Sequence, residues 1–255
     1  MIHRHCRVGQ KLDVAGLNEI TVLIDRSQTE LTEVAMNSWC PGLDGPPHAH
    51  DGKEQNFLVT AGRGTVKIGG DSFPAEPGDY FYVPAGVVHQ TVNLQPDHRL
   101  DYFLFNAFLD SDKEGHASFA DHISKVKEIR RRQAERQSAS VDPGLVTAAA
   151  KRPGKRVATR GADGLRTVLV DRCGTERCEA ILHQLPPRGG QTPAADGTKE
   201  QTLFVLEGSG RVTVAGEPAD LAAGEVLFVP RAATFTCVAG DAGLRFVSFG
   251  TVITR

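Results

Sequence analysis

The 255-residue chain has little of several things that would fix its class at once. It has one Trp, three Tyr and two Met. No apolar run approaches the roughly 20 residues that a membrane-spanning helix needs. It has no excess of charge: 29 Lys and Arg against 31 Asp and Glu leave a formal −2. Nucleic acid or an anionic membrane as the main partner calls for a cationic face, so both are excluded as expectations. Cysteine is scarce and odd in number, with Cys6, Cys40, Cys173, Cys178 and Cys237 spread along the chain, which is no disulfide framework. Cys173 and Cys178 are also too far apart for a zinc knuckle. No hydrophobic segment follows the charged residues at the start, so a secretory signal is not expected and the cytoplasm is the default.

What the chain does have is repetition, which decides fold class before any other signal. Thr21-Val22-Leu23-Ile24-Asp25-Arg26 returns 146 residues later as Thr167-Val168-Leu169-Val170-Asp171-Arg172, and Lys53-Glu54-Gln55 returns as Lys199-Glu200-Gln201. Gly62, Gly64, Gly70 and Gly78 keep the spacing, as do Val83-Pro84, and Phe103 aligns with Phe249. One domain is written twice. Within each copy, short Val-, Ile-, Phe- and Thr-rich runs alternate with Gly, Pro and Asp, the pattern of a β-sandwich or barrel. Between the copies the texture changes. Phe119, Ile123 and Val126 at helical spacing, among Lys125, Lys127, Arg130, Arg131 and Arg132, predict an amphipathic helix over 117–137. Its basic face is read as solvated surface. The expected organisation is a first barrel over 1–110, a helical connector over 111–150 and a second barrel over 151–255.

Three of the nine histidines fall where a metal would want them. His48 and His50 lie two apart, on one side of an extended segment. His89 follows a turn-rich stretch with Gly78, Pro84 and Gly86 before it and Asn93 after it. The stretch from Gly42 through His48, His50 and Gln55 to Gly62, with the one from Gly78 to Asn93, resembles the two motifs of the cupin superfamily. The second motif matches at every fixed position, and the first has Gln55 where the family most often has Glu. The resemblance covers both repeats and implies an all-β fold of two tandem double-stranded β-helix (jelly-roll) barrels, with the helical segment inserted between them. Carried over, His48, His50 and His89 are metal ligands, and Gln55 or Glu54 completes the set. Pleat alternation favours Gln55, which shares a face with Phe57 and Val59.

The second repeat is an internal control, because Ala194, Asp196 and Phe235 stand where His48, His50 and His89 would recur. All three imidazoles vanish together while the turn glycines, Pro230 and Gln201 stay. Metal is therefore expected in the first barrel alone, one divalent ion per chain. Fe(II) or Mn(II) leads, and Ni(II) and Zn(II) suit the same donors. Trp39, Tyr80, Tyr82, Tyr102, Phe57, Phe81, Phe103 and Phe105 all fall in the first copy and are candidates for an apolar pocket or for a packed core. For a redox-active metal, the resemblance implies a dioxygenase acting on a small phenolic, enolic or diketone substrate, with Glu54 or Tyr82 as the nearest base. A redox-silent metal implies an isomerase, lyase or hydrolase, and a non-enzymatic small-ligand binder is the remaining reading. A homodimer is the expected assembly.

Overall fold

The structure is a computed structural model that describes residues 1–14, 16–113, 124, 127, 128, 131, 132, 154–159, 165–191 and 197–253. In the first repeat the strands are β1 (Ile2–His5), β2 (Gln10–Val14), β3 (Asn18–Ile24), β4 (Thr32–Trp39), β5 (Leu43–Asp44), β6 (Lys53–Ala61), β7 (Gly64–Ile68), β8 (Asp71–Ala75), β9 (Asp79–Val83), β10 (His89–Asn93) and β11 (Leu100–Phe108). The second repeat follows with β12 (Lys155–Ala158), β13 (Arg166–Val170), β14 (Cys178–Leu185), β15 (Gly190–Gln191), β16 (Lys199–Val214), β17 (Glu217–Ala222), β18 (Glu225–Val229) and β19 (Phe235–Val252). The helix expected over 117–137 falls on a segment of which only Ser124, Lys127, Glu128, Arg131 and Arg132 are described.

The first barrel is built from a seven-stranded sheet, in the order β12-β9-β6-β11-β4-β3-β2, and a four-stranded one, β5-β10-β7-β8. In the second barrel β16 does the work of β6 and β7 together, and β19 that of β10 and β11, so its strands form one continuous sheet of eight. Gly62 and Gly208 sit at the bends, with φ of +76° and +77°. A Cβ there would lie 1.9 Å from the Arg99 carbonyl oxygen and 2.1 Å from that of Gly243. Only glycine fits either the torsion or the space. These contacts also correct the repeat alignment. Arg99 and Gly243 are 144 residues apart, and in register Phe103 corresponds to Val247, while Phe249 corresponds to Phe105. The last hairpin of the second copy is two residues shorter, so the constant offset ends before β11.

The barrels are joined by exchanged strands. β1 pairs with β18 of the second barrel, and β12 pairs with β9 of the first, with Ile2 opposite Phe228 and Lys155 opposite Tyr82. The two pairings are equivalent, since β9 and β18 occupy the same place in their barrels. Each carries its own polar contact: an ion pair of Arg156 with Asp79 at 3.0 Å, and His3 Nε2 with the Glu225 carboxylate at 2.6 Å.

Alternation along the strands sorts the side chains into three apolar clusters. Phe57, Val59, Phe81, Val83, Tyr102 and Trp39 fill the first barrel. Leu203, Val205, Phe235, Cys237 and Phe246 fill the second. The opposite faces, with Leu58, Tyr80, Tyr82, Phe103, Phe105, Phe204 and Phe249, meet in a shared cluster between the barrels. At its centre Phe105 stacks on Phe249 at 5.0 Å, a residue against its own counterpart.

Candidate metal centre

His48 and His89 are brought together by a bridge between the segment after β5 and the start of β10. The His48 N–H donates to the His89 carbonyl at 3.0 Å, and the His89 N–H donates back at 2.8 Å. His50 is held next to them because its carbonyl accepts from the Gly86 N–H at 3.0 Å. The ring centroids are 4.3 Å (His48–His89), 4.9 Å (His48–His50) and 5.4 Å (His50–His89) apart. One ring nitrogen from each lies within 4.8 Å of the other two. His89 is buried, whereas His48 and His50 are half-exposed, so the cluster sits at a mouth of the barrel.

The tautomers suit a metal. Nδ1 of His48 lies 2.9 Å from the Pro46 carbonyl oxygen, and Nδ1 of His89 lies 3.1 Å from that of Val87. A carbonyl only accepts, so in the neutral imidazole each Nδ1 carries the proton and the lone pair is on Nε2. Such a backbone bond on the far nitrogen is the usual support of a metal-bound imidazole. The three histidines therefore form a donor set able to hold a metal ion.

Gln55 is 6% exposed and shares its face of β6 with Phe57 and Val59, both in the core of the first barrel. The Phe57 ring lies 6.0 Å from that of His89, so this is the face the histidines overlook.

Glu54 and Tyr82 are not brought to the histidines, which corrects the expectation that either is the base. They occupy the opposite face of their strands and enter the inter-barrel interface. The Tyr82 hydroxyl donates to Glu54, and the Glu54 carboxylate also accepts from the backbone N–H groups of Glu176 (2.7 Å), Arg177 (2.8 Å) and Cys178 (3.1 Å). Glu54 is 0% exposed. The repeat reproduces this arrangement in reverse: Glu200 accepts from the N–H groups of Glu30 (2.6 Å) and Leu31 (2.9 Å) and from the Thr32 hydroxyl (2.9 Å). These are two halves of one clamp between barrels.

The aromatic residues divide by the same rule. Trp39, Phe57, Phe81 and Tyr102 face the first barrel's interior, and Tyr80, Tyr82, Phe103 and Phe105 face the second barrel. Tyr102, expected from the sequence only as one of the pocket or core aromatics, is a hydrogen-bonding hub. Its hydroxyl accepts from Asn37 Nδ2 at 3.0 Å and from Trp39 Nε1 at 2.9 Å, and its ring lies 4.8 Å from Phe57. Asn106 and Glu33 were missed, because only strand register places Asn106 opposite Gln55 and Glu33 opposite Asn106. In the second barrel Phe235 is 3% exposed and packed in the core, at the position of His89. Ala194 and Asp196 lie outside the described residues.

The family description of the cupin domain matches residues 39–103 and again 181–249. This chain is a cupin. It carries the domain twice, as the exchanged strands and mirrored clamps already imply. No curated protein sequence matches it. Among solved structures, this cupin resembles protein Ylba from E. coli with a TM-score of 0.71 at 13% identity, over 99% of this chain and 91% of that one. It resembles oxalate decarboxylase from Lactobacillus farciminis with a TM-score of 0.66 at 14% identity, over 100% and 87%. Salicylate 1,2-dioxygenase from Pseudoaminobacter salicylatoxidans follows with 0.62 at 14% identity, over 88% and 72%. At such identities the likeness is one of fold.

Proposed function

We propose that the first barrel is the centre of a metal-dependent dioxygenase acting on small substrates with phenolic, enolic or diketone oxygens. The observation that carries the reading is the convergence of three imidazole nitrogens, within 4.8 Å of one another, at the mouth of an aromatic-lined barrel. His48, His50 and His89 hold the ion, and Gln55 supplies the fourth ligand. Bound there, Fe(II) or Mn(II) would supply Lewis acidity toward a substrate oxygen and a redox couple for O2, and Ni(II) or Zn(II) would fit the same donors.

The four protein ligands are all neutral, so the ion's charge is left for the substrate, which favours one that binds as an anion. The backbone carbonyls of Pro46 and Val87 keep two of the rings oriented before any ligand arrives. Phe57, buried against both His89 and Tyr102, backs the His89 ring from the core side. Glu54 and Tyr82 face away and receive no catalytic role. Substrates acidic enough to enter as enolate or phenolate are therefore favoured over unactivated alcohols. The five unpaired thiols fit a reducing compartment, and the cytoplasm is proposed.

Elemental analysis of the purified protein, followed by oxygen-electrode assays with flavonols, 1,3-diketones and catechols, tests the reading. Iron or manganese near one per chain with oxygen uptake is the expected result. Zinc or nickel without oxygen uptake would move the site to Lewis-acid chemistry, an isomerase, lyase or hydrolase. His89→Ala should abolish metal uptake and Phe235→Ala should leave it intact. Equal loss in both would remove the assignment to the first barrel.

A further inference from the structure

The three neighbouring strands β6, β11 and β4 carry a polar row inside the first barrel. Asn106 stands directly opposite Gln55 on one side and Glu33 on the other. All three side chains are buried, at 1%, 6% and 2% exposure for Asn106, Gln55 and Glu33. Their strands alternate so that Tyr102 and Leu104, Phe57 and Val59, and Ala35 and Trp39 share their faces, all within the first barrel's core. Asn106 Nδ2 donates to Glu33 Oε1 at 2.8 Å. Its other amide atom, Oδ1, is buried without a hydrogen-bond partner.

We infer that Glu33 and Asn106 are positioning residues that set which end of the Gln55 amide meets the metal. The inference rests on the metal-centre reading above. A glutamine ligates only through Oε1, since its Nε2 has two hydrogens and no free lone pair. The two ends have nearly the same shape, so hydrogen bonding alone selects between them. The Glu33 carboxylate only accepts, which turns Asn106 Nδ2 toward it and leaves Asn106 Oδ1 facing Gln55. Directly opposed residues of an antiparallel pair have Cβ atoms about 5 Å apart, within reach of an amide–amide bond. Gln55 Nε2 is then the donor placed to satisfy the unpartnered Asn106 Oδ1, which leaves Oε1 for the ion. A carboxylate ligand has two equivalent oxygens and needs no such relay.

The second barrel is a natural control. There Gln201 and Glu179 keep their places in the row, but the residue between them is Gly250. A Cβ at that glycine would lie 2.9 Å from Glu179 Cγ, so a bridging side chain would have to displace Glu179. Glu179 is instead taken by Lys199 and by Arg172, the latter at 3.1 Å. The bridging amide is absent from the barrel that lacks the histidine at His89's position, while the outer two residues of the row are kept in both.

Co(II) titration of the metal-free protein, read by affinity and by the visible absorption of the bound ion, tests this. Asn106→Gly, which installs the second barrel's residue, should weaken Co(II) binding about tenfold or more and change the absorption bands, in line with other outer-shell metal-site variants. Glu33→Gln, which frees Asn106 to turn over, should shift both readouts the same way. In a Gln55→Glu background, adding Asn106→Gly should cost less than about threefold, because the fourth ligand no longer has a wrong end. Unfolding midpoints of the metal-free forms separate a ligand effect from a folding defect. Wild-type binding in both Asn106→Gly and Glu33→Gln overturns the relay alone, as does an equal loss from Asn106→Gly in the wild-type and Gln55→Glu backgrounds. A wild-type chain that takes up no Co(II) overturns the metal centre and the relay together.

Discussion

Single positions show how one fold diverges between its two copies. Asn37 in the first barrel donates to Tyr102, whereas its counterpart His183 lies 2.8 Å from Ser248 through Nε2 and stacks on Phe246 at 4.6 Å. Burial, with Arg166 as a second cause, lowers the His183 pKa to about 4. The imidazole is thus neutral in the fold at pH 7. Below the unfolded value near 6.5 the unfolded chain takes up a proton that the folded one refuses, so stability present above that pH is lost as pH falls toward 4. The full shift corresponds to about 3 kcal/mol. His183→Asn, the first barrel's residue, should therefore flatten the decline of the unfolding free energy between pH 6.5 and 4, measured by urea titration of the metal-free protein. A parallel decline in both proteins would show that His183 is not responsible. The histidines of the metal centre were legible because two motifs fix their spacing in the chain. His183 and Asn106 were not, since their surroundings come from strands far away in sequence.

At the level of strands, alternation was readable and its meaning was only half readable. The sequence sets Gln55, Phe57 and Val59 apart from a polar face of Glu54, Asn56 and Thr60. In the structure Phe57 and Val59 lie in the first barrel's core, while Leu58, on the Glu54 side, lies in the cluster between the barrels. What the pattern of one strand does not say is that the second face is also buried, against another barrel. A carboxylate on that face reads as a catalytic base until the amides of Glu176, Arg177 and Cys178 are seen around it. Its role predicts a separation of effects. Glu54→Gln puts an amide NH2 among backbone donors and leaves buried N–H groups without acceptors, at a cost of about 3 kcal/mol. For a chain of this size the unfolding midpoint should drop by roughly 5–10 °C. Metal uptake per folded chain should be unchanged, and Glu200→Gln should lower the midpoint by a similar amount because it breaks the mirrored clamp. Loss of metal or turnover from Glu54→Gln at an unaltered midpoint would return Glu54 to the active site.

Across the whole molecule, duplication and asymmetry have different origins. The repeat in the sequence announces two barrels, and the loss of three imidazoles from one copy announces a single candidate metal centre. Neither signal reveals that the barrels exchange strands and share a core, because strand exchange depends on where β1 and β12 dock rather than on their composition. Each barrel completes its sheet with a strand from the other repeat, and the shared cluster buries Phe103, Phe105, Phe204 and Phe249 between them. Unfolding one barrel would strip a strand from the other, expose those rings and open both carboxylate clamps. Calorimetry of the metal-free chain should therefore give one transition, with calorimetric and van't Hoff enthalpies in agreement. A ligand that binds only the folded state raises the stability of the entire cooperative unit. Saturating Mn(II) or Co(II), held by histidines of the first barrel alone, should move that whole transition upward, with signals from both repeats shifting together. A biphasic melt in which only the first barrel responds to metal would mean that the exchanged strands and the aromatic interface do not couple the two copies.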